Sequence, residues 1–272
     1  MNVLDVRGLT IRTDEGRDLV SDVSFSIGAG SRLGLVGESG SGKSLTALAV
    51  MGLLPPGMTA SGSISLTAHG APPAEIVGAT ERRLNGLRGR AATVVFQEPL
   101  TALDPLMRLG AQLAEPLRLR HGRGLRGPAL RRAVEEALDR VRLPEPDRIA
   151  RAYPHEISGG QRQRVALAMA LACEPALLIA DEPTTALDVT VQAEVLALLD
   201  GLVAGRDMAL LFISHDLAVV SAVTDHVLVL KDGTAVESGT VGDIVSRPVH
   251  PYTRDLVGSA RHLESALERI VR

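Results

Sequence analysis

Apolar and polar residues alternate along Val3–Arg12 and again along Leu19–Ile27, the two-residue period of strands with one buried face. They predict two strands of an antiparallel sheet. Arg32–Val36 follows as a short apolar strand, Gly37–Gly42 as a glycine–serine turn, and Ser44–Leu54 as a helix stopped by Pro55-Pro56-Gly57. Ser63–Thr67 and Ala92–Phe96 read as strands, with Ala68–Thr80 loop-like between them. From about Leu106 to Arg151 the period becomes helical: Leu109–Leu119 and Ala129–Val141 predict helices flanking a solvated Arg- and Gly-rich loop, His121–Gly127. The α/β alternation then resumes, with strands at Ala176–Ala180 and Ala209–Ile213 and helices at Val189–Val203 and Leu217–Val223. Val227–Leu230 and Thr234–Glu237 flank Lys231-Asp232-Gly233, a hairpin signal. The pattern predicts an α/β core with an antiparallel β part and an inserted helical subdomain.

Composition narrows this further. A chain of 272 residues, 45% apolar, suits one large domain, and with 2% aromatics its core must be filled by Leu, Val, Ile and Ala. A formal charge of −3 gives no electrostatic reason to expect nucleic acid as a partner. The single cysteine, Cys173, excludes an internal disulfide. The most apolar stretch, Val165–Ala180, is broken by Glu174 and Pro175 and falls short of the roughly 20 residues of a membrane span. Met1–Thr10 carries Asp5 and Arg7 and lacks the apolar run of a signal peptide. A cytoplasmic location is expected, with any membrane role exercised through partners.

Three motifs carry chemistry. Gly37-Glu38-Ser39-Gly40-Ser41-Gly42-Lys43-Ser44 fits the phosphate-loop pattern: glycines turn backbone N–H groups toward phosphate oxygens, and the following helix adds its positive end. Lys43 supplies a compact charge for the β- and γ-phosphates, and Ser44 a hydroxyl for Mg²⁺. Of the 29 basic residues only Lys43 and Lys231 are lysine, so a lysine at this position stands out. Leu177-Leu178-Ile179-Ala180-Asp181-Glu182 is an apolar strand ending in two carboxylates; Asp181 suits Mg²⁺, and Glu182 suits proton acceptance from an attacking water. Ser158-Gly159-Gly160-Gln161 is a capping box opening the helix Arg162–Cys173, and its glycine pair also exposes N–H groups to an anion.

The order of phosphate loop, Gln97, Ile157-Ser158-Gly159-Gly160-Gln161, Asp181-Glu182, Ala186-Leu187-Asp188 and His215 resembles the nucleotide-binding subunits of ABC transporters over nearly the whole chain. The resemblance implies a RecA-like phosphate-loop core with an antiparallel β subdomain and an inserted helical subdomain. It implies that ATP is the ligand and that Gln97 is the Q-loop glutamine, reaching Mg²⁺, the attacking water and the transmembrane partner. Ser158, Gly160 and Gln161, with Gly159, resemble the signature loop that closes on the γ-phosphate of the opposite protomer. Asp188 resembles the D-loop aspartate of the dimer interface, and His215 the switch histidine. Two departures stand out. Ile157 replaces the commoner Leu, a volume-conserving change. No aromatic occurs before Phe25, so adenine stacking is either weaker or supplied by an arginine plane such as Arg12 or Arg17.

Gln97–Pro105 and Arg247-Pro248-Val249-His250-Pro251-Tyr252-Thr253, the latter opening the helix Thr253–Ser259, resemble segments of oligopeptide, dipeptide and nickel importers. The chain then reads as one domain: 1–105 and 153–240 form the core with its β subdomain, 106–152 the helical insert, and 241–272 a family-specific tail. Arg261–Arg272 holds no cysteine, so no iron–sulfur cluster is expected there. The resemblance implies a second ABC ATPase subunit, the same or different, two transmembrane permease subunits, an extracytoplasmic solute-binding protein, and a place at the cytoplasmic face of the membrane. The transported solute would be a peptide, nickel or a metal chelate. The alternative is a soluble ABC ATPase working without a permease. DNA-repair types insert a long coiled coil before the signature and translation types carry two cassettes, and neither feature occurs here. A non-hydrolysing regulatory cassette would be expected to lack Glu182 or His215.

Overall fold

The computed structural model describes residues 2–96, 102–122, 124–185, 188–204 and 207–270, with side chains to residue 260. The alternating N-terminal segments form β1 (Asn2–Thr13) and β2 (Asp18–Gly28), paired antiparallel. β4 (Met58–Leu66) lies on the other side of β1, and the two-residue β5 (Ala74–Glu75) lies beyond it. The register of β1 on β4 shifts between Arg7 and Thr10, so the buried residues change parity from Leu4 and Val6 to Leu9 and Ile11. Gly62 makes this possible: a Cβ there would lie 2.4 Å from the Gly8 carbonyl oxygen.

The second sheet runs β10-β9-β3-β8-β7-β6, made of β3 (Arg32–Val36), β6 (Ala92–Val95), β7 (Leu177–Asp181), β8 (Ala209–Ser214), β9 (His226–Lys231) and β10 (Thr234–Thr240). Its pairings are parallel apart from the β9–β10 hairpin. Both faces are covered, which is why these strands read as continuous apolar runs. Leu177, Ile179, Leu211 and Ile213 face a cluster shared with the antiparallel sheet and α1 (Lys43–Val50). Leu178, Ala180, Leu210 and Phe212 face a second cluster shared with the later helices.

The helical block occupies the crossover from β6 to β7. It comprises α3 (Leu109–His121), α4 (Gly127–Arg140) and α5 (Pro146–Arg151), leading through a 3₁₀ turn at Pro154–Glu156 to α6 (Gly159–Leu171). Leu109, Leu113, Leu138 and Ile149 join Val165 and Leu167 of α6 in one apolar cluster. Next along the chain are α7 (Val189–Ala204), α8 (Leu217–Val223), α9 (Val241–Ser246) and α10 (Pro251–Ile270). Among the described residues no helix is long and apolar enough to cross a membrane.

Several expected boundaries move. α1 stops at Val50, not Leu54, because Gly52 at φ +61° closes it: the Gly52 N–H bonds the Ala49 carbonyl at 3.0 Å and the Leu53 N–H the Leu48 carbonyl at 2.8 Å. β4 begins at Met58 rather than Ser63: Met58, Ala60, Ile64 and Leu66 keep one parity, but Gly62, opposite the extra residue of β1, puts no apolar side chain in the row. The segment Ala68–Thr80 is not all loop, since it contains β5. α2 (Glu81–Leu87) and α5 were not expected; each buries a single residue, Leu84 or Ile149, and so shows no apolar period. α6 begins at Gly159 rather than Arg162, and α10 runs well beyond Thr253–Ser259.

Candidate nucleotide site

The C-terminal ends of three adjacent parallel strands, β3, β8 and β7, meet at one edge of the sheet, where α/β folds place their ligands. β3 runs into Gly37–Ser44. The loop is packed so closely that a Cβ on Gly37 would lie 2.2 Å from the Leu230 carbonyl oxygen, and one on Gly42 would lie 2.7 Å from Val20 Cγ2. Gly40 and Gly42 hold φ of +82° and +95°, turning the backbone into a cradle. Lys43 is 5% exposed. Its ammonium donates to the Gly37 and Glu38 carbonyl oxygens at 2.7 and 2.8 Å. Burial lowers its pKa, although Glu182, Asp181 and Glu38 all favour the charged form.

Ser44 donates its hydroxyl to Asp181 Oδ1 at 3.2 Å, joining the loop to the end of β7. Burial pushes the Asp181 carboxyl above the usual range; the Ser44 hydrogen bond opposes this, the Glu182 charge adds to it, and Lys43 opposes it. Glu182 follows at φ +47°, a left-handed conformation unusual for a residue with a side chain. Its N–H holds the Ile213 carbonyl of β8 at 2.9 Å. Its Oε2 accepts from the Thr185 hydroxyl at 3.0 Å, and its Oε1 lies 3.2 Å from His215 Nδ1. An open cleft of ≈ 620 Å³ is lined by Gly40, Lys43, Ser44, Glu182, Thr185 and His215, among others.

The arrangement fits a magnesium–nucleotide. Ser41 Oγ is buried without a hydrogen-bond partner among the described residues, an orphan donor inside the loop. Ser44 and Asp181 offer two oxygen ligands side by side. No group of three or more His, Cys, Asp or Glu suited to a metal occurs among the described residues, so a cation there would need phosphate and water oxygens as well.

Thus the structure gathers Gly37–Ser44, Asp181, Glu182 and His215. It keeps Ser158–Gln161 apart: these residues do not line the cleft but form the expected capping box, with Ser158 Oγ accepting the Gln161 N–H at 3.3 Å and Gln161 Oε1 accepting the Ser158 N–H at 3.0 Å. Gly160 packs on α7, where a Cβ would meet Val191 Cγ1 at 2.5 Å. Asp188 is exposed and accepts the Val191 N–H at 3.0 Å, capping α7. Gln97, Ala186 and Leu187 lie outside the described residues. Arg12 is paired with Asp18 through two guanidinium N–H groups. Sequence reasoning missed two groups. Thr185 orients Glu182. Tyr252 accepts the Glu38 N–H at 2.8 Å; its motif was visible, but nothing in the pattern tied it to the loop.

The ABC transporter family model matches residues 20–185. The chain is 45% identical over 272 residues to the oligopeptide transport ATP-binding protein OppD of Escherichia coli, covering all of this chain and 78% of that protein. It is 43% identical over 268 residues to the glutathione import ATP-binding protein GsiA of Pectobacterium atrosepticum, covering 97% of this chain and 43% of that one. Among solved structures, the dimeric post-hydrolysis state of the ATP-binding cassette MJ0796 bound to ADP and phosphate superposes with a TM-score of 0.76 at 26% identity, covering 88% of this chain and 98% of that one. With the phosphate loop, the twin carboxylates and the histidine meeting at one sheet edge, the chain belongs to the ABC transporter family, as an ATP-hydrolysing nucleotide-binding subunit.

Proposed function

We propose that the chain powers import of a peptide or peptide-like solute through membrane-embedded permease subunits, working at the cytoplasmic face with an extracytoplasmic solute-binding protein delivering the cargo. The observation that carries this is the whole-length similarity, at 45% identity, to an oligopeptide transport ATP-binding protein. In this reading residues 106–152 form a helical subdomain between the two parts of the core, and the transmembrane partner engages near it and Gln97.

The roles proposed for the site follow its geometry. The loop Gly37–Ser44 grips the phosphates, with Lys43 on the β- and γ-phosphoryl oxygens. Ser44 and Asp181, joined by Gln97, would hold Mg²⁺, which would supply positive charge against that developing on the phosphates. Glu182 takes the proton of the attacking water. Its contact with His215 leaves that imidazole at the mouth of the cleft, suited to bond the γ-phosphate. The wall formed by Ser158, Gly159, Gly160 and Gln161 comes from a second cassette, with Asp188 at the interface. The support is that Ser158 and Gly159 are exposed at a helix start that does not line this chain's own cleft, and that the MJ0796 cassette is dimeric.

Affinity purification of the chain from its own cells tests this. Two membrane subunits should co-purify, and added peptide with its binding protein should stimulate ATP hydrolysis. A fully active cassette with no membrane partner would favour a soluble ABC ATPase instead.

A further inference from the structure

The turn 248–253 ahead of α10 is fastened at both ends. Glu237 of β10 accepts the Val249 and His250 N–H groups, each at 2.8 Å. Tyr252, 5% exposed, lies with its ring 5.1 Å from Lys231 Nζ and its hydroxyl on the Glu38 N–H at 2.8 Å. That contact joins residues 214 apart in sequence.

The bond falls on a particular peptide unit. Gly37 C=O and Glu38 N–H belong to one planar group, whose oxygen and hydrogen point in opposite directions. The oxygen accepts from Lys43 at 2.7 Å. The hydrogen is given to Tyr252. One peptide plane is therefore held on one side by the phosphate-binding lysine and on the other by the C-terminal turn. Most N–H groups of such a loop are free to face phosphate; the Glu38 N–H is committed elsewhere. On its β9 side Gly37 has no room even for a methyl group, since a Cβ there would lie 2.2 Å from the Leu230 carbonyl oxygen.

We propose that Tyr252 is a positioning residue of the nucleotide site: by holding the Glu38 N–H its hydroxyl fixes the Gly37–Glu38 peptide plane, and through it Lys43, so that the 248–253 turn and the phosphate loop respond to nucleotide as one unit. Packing alone would be served by phenylalanine, which keeps the ring over Lys231 and gives up only the hydroxyl. The inference rests on Gly37–Ser44 being the nucleotide loop.

Two measurements on the purified full chain test it. The dissociation constant for Mg-ATP is compared for the natural chain, Tyr252→Phe and Lys43→Ala. Tyr252→Phe should bind about three- to tenfold more weakly, the equilibrium effect of one hydrogen bond. The second measurement uses the chain's two tyrosines: 3-fluorotyrosine incorporated into a Tyr153→Phe background reports Tyr252 alone by ¹⁹F NMR. Its resonance should shift on adding Mg-ATP, showing that the turn and the loop respond together, while the affinity lost in Tyr252→Phe, which keeps the ring and its packing, separates positioning from space-filling. A change in affinity below threefold, or an unmoved resonance at saturating ATP, overturns the proposal. If Lys43→Ala instead binds ATP like the natural chain, the nucleotide-loop reading itself is at fault.

Discussion

Two alanine substitutions three residues apart in the phosphate loop should fail for different reasons, and the difference can be measured. At Gly37 the obstacle is space. The new Cβ would stand 2.2 Å from the Leu230 carbonyl oxygen and 2.6 Å from Ser41 Oγ. The first obstacle is main chain of β9, an inner strand paired on both sides, and cannot step aside alone. Overpacking of this kind costs typically 1–3 kcal/mol, and backbone as the obstacle puts Gly37→Ala at about 3 kcal/mol. At Gly40 there is nothing within 4 Å of the new Cβ, but φ is +82°. The cost there is conformational, about 1 kcal/mol. For a domain of this size each kcal/mol lowers the unfolding midpoint by roughly 2–4 °C, so Gly37→Ala should lose about 6–12 °C and Gly40→Ala about 2–4 °C. Gly37→Ala should also lose most ATP affinity, because the carbonyl that steadies Lys43 must move. Scanning calorimetry with and without Mg-ATP reads both effects. Equal midpoints for the two variants, or a Gly37→Ala chain that ATP stabilises as fully as the natural one, would refute the steric reasoning.

Two further outcomes follow from the site. Burial raises the Asp181 carboxyl above the usual range, so protons should compete with Mg²⁺ at higher pH than at an ordinary aspartate, and metal affinity should fall as pH falls through that raised value. For the metal-free chain the sign reverses: a group that holds its proton more tightly when folded stabilises at low pH, and that stability is lost as pH rises through the folded value. Asp181→Asn should remove both dependences, read by Mg²⁺ titration and by unfolding at several pH values. Ser158→Ala should destabilise by about 1 kcal/mol through loss of its cap. Ser158→Asp should keep the cap but bring a negative charge where the partner's γ-phosphate would dock, so its unfolding midpoint should stay near that of the natural chain while ATP hydrolysis collapses. Full hydrolysis by Ser158→Asp would leave Ser158 only its capping role.

How much of this was legible in the sequence depended on whether the information was local. The phosphate loop, the capping box and the apolar strand before Asp181 are contiguous, and each folds as its residues dictate. The N-terminal hairpin was readable because β1 keeps local alternation on either side of the irregularity at residues 8–9, and β2 alternates over residues 23–27. β4 was half lost because Gly62, needed where two backbones touch, leaves a gap in the apolar row. α2 and α5, each with one buried residue, give no period to read. At the site, the meeting of Gly37–Ser44 with Asp181 and Glu182 could be argued from the sheet edge. The contacts of Thr185 with Glu182 and of Tyr252 with Glu38 could not, since both arise from where the sheet order delivers the chain.

The central claim is that Glu182 is the base of an ATPase whose site is completed by a second cassette. Glu182→Gln changes one oxygen to an amide and can keep contacts to Thr185 and His215, so ATP should still bind. Removing a general base costs about 10²–10⁴ in rate. The direct measurement is the mass of purified Glu182→Gln in solution, by light scattering, with and without Mg-ATP, alongside phosphate release. The account predicts that ATP stays intact and that the 28.6 kDa chain doubles in mass only when ATP is present. A variant that stays at single mass with ATP bound, or that releases phosphate at the natural rate, would contradict it.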